Sequence, residues 1–201
     1  MKNVTIIDYG TSNLASLYNA LEHIGAGPRV TSNPRDIEKA GRIIIPGVGS
    51  FNHAMDSIER LELAEPLLAA AQRSIPVLGI CLGMQVLFSK GFENTERPGL
   101  GWIPGTVESI QGAVRIPHMG WNTLVQKQKH PLLSGITRDD RVYFVHSYTA
   151  VPCDRSHVAA TTLYSGEFCS VCCKGSIMGV QFHPEKSHNP GLRILKNFME
   201  L

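Results

Sequence analysis

No apolar stretch in this sequence approaches the roughly 20 residues that a membrane span requires. No run of Lys or Arg stands out, and the formal net charge of +2 is too small to argue for a nucleic-acid partner. No Pro/Gly/Ser-rich or charged tract divides the chain, so its 201 residues read as one domain, 1–201, with room for a sizeable core. Internal repeats and low-complexity segments are also missing. The opening MKNVTIIDYG has a short apolar run that meets Asp8 at once, unlike a secretion signal. The expected setting is therefore a reducing cytoplasm. The five cysteines, odd in number and irregular in spacing, are expected as free thiols.

What is present is an alternation of apolar runs and helical patterns. NVTIIDYG reads as a buried strand. SNLASLYNALEHIGA follows, with Ser12 or Asn13 as the cap and Leu14, Leu17, Leu21 and Ile24 at helical spacing. Gly25 or Gly27 ends that helix. RIIIPGVGSF is a second buried strand running into a Gly-rich turn. LAEPLLAAAQR is helical, with Pro66 in its first turn. PVLGIC is a third strand, and LGMQVLFSK is predicted as the helix after it. Near-continuous apolar strands alternating with helices predict an α/β fold with a central, mostly parallel sheet and helices on both faces. The second half differs. GWIPGTVESI, VRIPHMGWNTLV, RVYFVHSYTAV, HVAATTLY and FCSVCCKGSIMGVQFH read as strands joined by turns, predicting a smaller antiparallel section. PGLRILKNFMEL closes the chain as a helix, with Leu192, Leu195, Phe198 and Met199 on one side.

The segment PVLGICLGMQ places Cys81 where a strand ends and a helix begins, the edge at which open α/β sheets gather ligands. A thiol at a helix N-terminus feels the positive end of the dipole. Gly79 and Gly83 permit the sharp turn of a nucleophile elbow, with Cys in place of the usual Ser. The alternative is packing, since cysteine is among the most buried residue types.

A nucleophilic cysteine needs a base and a group that orients it. GVQFHPEKS supplies His183 and Glu185, two residues apart along an extended backbone and so able to face one way. With the Gly-x-Cys-x-Gly elbow they form a Cys/His/Glu triad candidate. The IIIPGVGSF segment places Gly47 and Gly49 at another strand end, where backbone N–H groups, joined by that of Leu82, can meet a developing negative charge. A phosphate loop is the competing reading of Gly-x-Gly, but no G-K-[ST] or G-x-G-x-x-G follows. CSVCC holds Cys169, Cys172 and Cys173, with Cys153 and His157 nearby in sequence. No second ligand pair sits at finger-like spacing, so packing is expected and no metal.

GICLGMQ, FHPEKS, IPGVG, HMGWN and FVHSY together resemble the class I, triad-type glutamine amidotransferases. HMGWN and HPEKS narrow the resemblance to the glutaminase subunits of imidazole glycerol phosphate synthase, and it runs nearly end to end. It implies a flavodoxin-like α/β fold and no cofactor. It implies that Cys81 attacks the side-chain amide of glutamine, His183 carries the proton to ammonia and Glu185 orients His183. Backbone around Gly47 and Val48, with Leu82, would form the oxyanion hole.

Glutamine would lie among Gly49, Gln85, Glu93, His146, Ser147 and Tyr148. Gln85 sits one helical turn after Cys81, and Glu93 matches the carboxylate that receives the substrate ammonium. The implied partner is a cyclase subunit with a (β/α)₈ barrel that receives the ammonia. Asn13, Trp121 and Lys186 match positions near the docking face. A stand-alone glutaminase, without a fused synthase domain, is expected from this resemblance. The family commonly reads DYGxGN where this chain reads DYGTSN, so Ser12 replaces a Gly. Another cysteine hydrolase on this scaffold and a non-catalytic relative are the competing classes. HMGWN and HPEKS argue against the first; the presence of Cys81, His183 and Glu185 together argues against the second.

Overall fold

The computed structural model describes residues 2–10 and 13–201. The Ser12 cap, and the Ser12 departure from DYGxGN, lie outside the described residues.

The chain runs β1 (Asn3–Ile7), α1 (Leu14–His23), β2 (Gly27–Thr31), α2 (Pro34–Glu38), β3 (Ile43–Ile45), α3 (Phe51–Arg60), α4 (Ala64–Gln72), β4 (Val77–Ile80) and α5 (Leu82–Gln85). It continues as β5 (Phe88–Gly91), β6 (Arg97–Pro98), β7 (Ile103–Ser109), β8 (His118–Thr123), β9 (Val125–Gln126), β10 (Arg141–His146) and β11 (Tyr148–Pro152). Last come β12 (Val158–Tyr164), β13 (Gly166–Lys174), β14 (Ile177–Val180) and α6 (His188–Glu200). Strands β2, β1, β3, β4 and β14 lie side by side and parallel. The sheet continues antiparallel through β13, β11 and β7, to which β5 adds parallel and β6 antiparallel beyond it. β8 and β10 form a separate antiparallel pair.

Strand alternation divides the core between the two faces of the sheet. Val4, Ile6, Ile44, Leu78 and Ile80 face α1 and α6, meeting Leu17, Leu21, Ile194, Leu195 and Phe198. Ile7, Ile43, Ile45 and Val77 face the other way, against Ile37, Phe51, Ala54, Ile58 and Leu67 of α2, α3 and α4. Both faces of β1, β3 and β4 are covered, which is why those strands read as unbroken apolar runs. Among the described residues, no helix is long and apolar enough to cross a membrane.

Two local expectations change, and three elements are added. The helix predicted over LGMQVLFSK stops at Gln85, and Phe88–Gly91 is strand. Val86, Leu87 and Phe88 are all fully buried, which a surface helix with one apolar stripe cannot provide. Their backbone is taken instead by residues 100–103: the Leu100 N–H donates to the Val86 carbonyl at 2.8 Å and the Trp102 N–H to the Leu87 carbonyl at 2.9 Å. RVYFVHSYTAV is two strands, not one. Ser147 breaks it, sending β10 to the small sheet and β11 to the large one. Finally, β2, α2 and α3 add to the elements read from the sequence: β2 is an edge strand with two exposed positions, while α3 buries Phe51, Ala54, Met55 and Ile58 at helical spacing.

Candidate active site

The elbow is built where β4 turns into α5. The Cys81 N–H donates to the Val180 carbonyl at 2.8 Å, so the ladder between β4 and β14 holds up to the turn itself. Cys81 then adopts φ 54°, ψ −109°, a conformation that costs about 1–3 kcal/mol for a non-glycine residue and clusters at functional sites. The flanking glycines serve close approach. A Cβ on Gly83 would lie 1.7 Å from the Ile45 carbonyl oxygen, and one on Gly79 would lie 2.4 Å from that of Gly83. The sharp turn thus falls on the cysteine, and the glycines let α5 press against β3 and β4. Gly83→Ala is expected to lower unfolding free energy by about 3 kcal/mol in urea titration, because backbone rather than a flexible side chain must yield. A change under about 1 kcal/mol would refute this account.

His183 follows β14. Its N–H donates to the Tyr143 carbonyl at 2.9 Å, and its own carbonyl accepts from Ser187 Oγ at 2.6 Å. Its Nδ1 meets Glu185 Oε1 at 2.9 Å, with both side chains almost wholly buried. The expected pair therefore forms, but not along an extended backbone. Pro184–Lys186 is a single 3₁₀ turn, closed by the Lys186 N–H on the His183 carbonyl at 3.1 Å. Burial pulls the imidazole pKa down, but the Cys81 sulfur and the Glu185 carboxylate more than offset this and raise it to about 10. With Nδ1 held by Glu185, the buried His183 Nε2 is the nitrogen left toward the Cys81 sulfur, and among the described residues no nitrogen or oxygen bonds it.

Cys81 opens onto a cleft of about 430 Å³ lined also by Val48, Gly49, Leu82, Gln85, Glu93, Pro117 and residues 145–148. Val48, Gly49 and Leu82 thus line the same cleft as Cys81. Gly47 does not line the cleft. It borders a narrow space of about 10 Å³ behind the pair, with Asn13, Pro46, His183, Glu185 and Lys186. Gly49 has φ 101°, open to glycine and strained for other residues.

Gln85 is buried, and its Nε2 donates to the Tyr148 carbonyl at 3.0 Å and to Gln181 Oε1 at 3.1 Å. Its Oε1 is left to accept. Glu93 Oε2 accepts the Phe51 N–H at 2.6 Å, at the start of α3. His146 turns both ring nitrogens into the protein: Nδ1 to the Tyr148 carbonyl at 2.8 Å and Nε2 to His118 Nδ1 at 3.0 Å. Burial, opposed by the Tyr148 hydrogen bond and helped by the nearby His118 and His183, lowers its pKa to about 4. His146 is thus a wall of the cleft rather than a free group. Ser147 and Tyr148 reach the same cleft because the chain changes sheets between them.

Asn13, Trp121 and Lys186 are exposed. Asn13 and Lys186 border the space behind His183, and Trp121 stacks on His188 with ring centroids 5.0 Å apart. Cys169, Cys172 and Cys173 are buried in β13. Burial raises all three thiols, Cys169 and Cys173 to about 12. Among the described residues no group of three or more His, Cys, Asp or Glu is placed to hold a metal. A second hollow of about 360 Å³ lies elsewhere, beside Lys127, Arg155, Glu167 and Cys169, and holds none of the candidate catalytic, glutamine-binding or interface residues.

Sequence reasoning missed Gln181 and His118. Gln181 is fully buried, and its Nε2 donates to Cys81 Sγ at 3.6 Å. Its signal was available, since it stands two residues before His183 and so on the same side of an extended chain. His118 lay inside HMGWN, where only pairing with β10 reveals its partner.

The family described as glutamine amidotransferase class-I matches residues 5–201. The imidazole glycerol phosphate synthase subunit HisH of Methanosarcina acetivorans is 45% identical, with the whole of both chains covered. The protein of the same name from Moorella thermoacetica is 43% identical over 100% of this chain and 96% of its own. Among solved structures, PurLQS from Thermotoga maritima aligns with a TM-score of 0.80 at 20% identity, covering 100% of this chain and 99% of that one, a likeness of fold.

Proposed function

This chain belongs to the class-I glutamine amidotransferases, among the HisH subunits of imidazole glycerol phosphate synthase, and from that premise we propose the roles of its residues. It is a glutaminase that serves a larger synthase in histidine biosynthesis. We place its chemistry in one catalytic domain, 1–201, working in the cytoplasm.

Cys81 sulfur attacks the side-chain carbonyl carbon of glutamine. The oxygen that becomes negative is met by backbone N–H groups at Val48 and Leu82, with Gly47 and Gly49 shaping the turn. His183 Nε2 hands its proton to the amide nitrogen, the C–N bond breaks and ammonia leaves a glutamyl thioester. Water attacks the thioester, His183 takes its proton, and glutamate departs as Cys81 is released. Glu185 holds the imidazole by Nδ1 throughout. The substrate ammonium lies against Glu93 and the free Oε1 of Gln85, and Ser147 and Tyr148 hold its carboxylate end. The observation that carries this reading is the buried His183–Glu185 pair beside a cysteine at φ 54°.

The partner we propose is a (β/α)₈ cyclase subunit, bound as a heterodimer over Asn13, Trp121 and Lys186, into whose barrel the ammonia passes. Glutamate release from glutamine, with and without the cognate cyclase subunit and its nucleotide ligand, tests this. Slow release alone and a strong rise in the complex are expected, because the Val48 peptide sits in a glycine-flanked turn that docking can reorient. Full activity of the chain alone overturns that part. Lys186→Ala is expected to cut the stimulation ratio about fivefold or more, since Lys186 borders the space behind His183. An unchanged ratio removes Lys186 from the coupling.

A further inference from the structure

A line of hydrogen bonds runs from β8 to the nucleophile, exposed at Asn122 and buried at His118–His146 and toward Cys81, and every donor in it has one possible direction. Asn122 is oriented by two backbone groups: its Oδ1 accepts the Thr123 N–H at 2.8 Å, and its Nδ2 donates to the Leu163 carbonyl at 3.1 Å. The same Nδ2 faces His118 Nε2 at 3.4 Å. His146 must donate from Nδ1, because its partner there is a carbonyl. Its neutral Nε2 then accepts from His118 Nδ1 at 3.0 Å, which leaves His118 Nε2 as an acceptor for Asn122. At the Tyr148 carbonyl the line meets Gln85, whose other N–H binds Gln181 Oε1 at 3.1 Å. Gln181, with its oxygen so engaged, turns its N–H onto Cys81 Sγ at 3.6 Å.

We propose that Gln181 is a positioning residue that holds the Cys81 sulfur on its line of attack, oriented by a relay through Gln85, the Tyr148 carbonyl, His146, His118 and Asn122. The proposal rests on the glutaminase reading and deepens it. Gln181 does not line the cleft, so it acts on the sulfur and not on bound glutamine. Among the described residues the sulfur also meets the Val145 carbonyl at 3.9 Å, itself on β10, and the His183 imidazole whose pKa it raises. Contacts of 3.6 and 3.9 Å leave a thiol loose unless the groups making them are rigid, and the relay holds Gln181 so. The ring of His118 is clamped as well, stacked on Tyr164 and Phe144 with centroids 4.0 and 4.9 Å away. The strand that starts the relay inward, through His118 and Asn122, turns Met119 and Trp121 outward at 62% and 42% exposure.

The test uses the full chain in complex with its cyclase subunit. Gln181→Glu keeps shape and the acceptor for Gln85 but ionises where the N–H was. Its kcat is expected to fall about a hundredfold at pH 8 with KM within about twofold, the range seen when a supporting shell is removed. The loss should shrink toward acidic pH, where the buried carboxyl is protonated and donates again. The other ionisable groups of the site, Cys81, His183, Glu185, His146 and Glu93, are common to both proteins, so the added dependence belongs to the new carboxyl. His118→Phe keeps the stacked ring and removes the donor; kcat is expected to fall about tenfold, and the double variant to lose no more than Gln181→Glu alone.

Unchanged kcat in either single variant, a loss carried by KM, or a loss in Gln181→Glu that does not vary with pH overturns the relay. If Gln181→Glu fails to fold, Gln181→Met is read in its place for the split between kcat and KM. Should the wild-type complex release no glutamate, the glutaminase reading fails by itself. The relay is then read by iodoacetamide, which should alkylate Cys81 several-fold more slowly in both variants; equal rates overturn it.

Discussion

Cys81→Ala is expected to reduce glutamate release by about 10⁶-fold, the scale on which a triad loses its nucleophile. Ammonia-driven cyclisation by the complex should remain at the wild-type rate. The two expectations differ because the variant deletes only the sulfur. The elbow at φ 54° is set by the ladder between β4 and β14 and by the close approach of Gly83 to Ile45, neither of which involves the thiol. Alanine tolerates the same backbone as cysteine. The cleft, the docking face and the space behind His183 then stay in place, and ammonia supplied from solution replaces what the glutaminase would deliver. Steady-state glutamate release and cyclase turnover, measured on one preparation, check both. Residual glutamine hydrolysis near the wild-type rate means that the nucleophile is another group. Loss of ammonia-driven turnover means that Cys81 supports the assembly rather than the chemistry.

Glu185→Gln is expected to lower kcat by about 10²–10⁴-fold and to move the alkaline limb of activity to lower pH. Glutamine keeps an oxygen for the Nδ1 proton but not the negative charge. In the wild type, His183 is raised from 6.5 to about 10. A raised histidine contributes stability that is fully present below its unfolded value and lost as pH climbs through its folded one. That contribution therefore fades between about pH 6.5 and 10, and the imidazolium that protonates the leaving ammonia disappears over the upper part of the same range. Without the Glu185 charge the folded value drops, so both losses begin nearer neutrality. A pH series of kcat and of urea midpoints, wild type against variant, reads this directly. Coincident alkaline limbs would show that the carboxylate does not hold the proton on His183.

Much of the site was legible before any coordinates. Cys81 between Gly79 and Gly83, and His183 two residues before Glu185, are short-range patterns whose meaning comes from the elbow and from a base with its orienting carboxylate. The parallel block was legible for the same reason. Strands buried on both faces must be apolar at every position, as Ile43–Ile45 and Val77–Ile80 are. Where local pattern and tertiary demand part, the reading fails. Phe88 was placed in a helix because LGMQ begins one, yet the pairing of β5 with β7 claims its backbone. The polar edge strand β2 was invisible because it has no need of apolar residues on both sides.

Sequence alone named the candidate nucleophile, base and orienting carboxylate and located β1, α1, β3, α4 and β4, since each depends on residues that lie close together along the chain. Only the folded chain decided how those pieces meet. Cys81 and His183 converge because β4 and β14 are neighbours. Gly47 borders the space behind His183, Gly49 lines the cleft and Val48 borders both, while Tyr9 fills the room that a Cβ on Gly47 would need. Gln181 and His118 became part of the site through partners 100 and 28 residues away in sequence. Spacing reports which residues share a face of one element, and it is silent on which elements lie side by side.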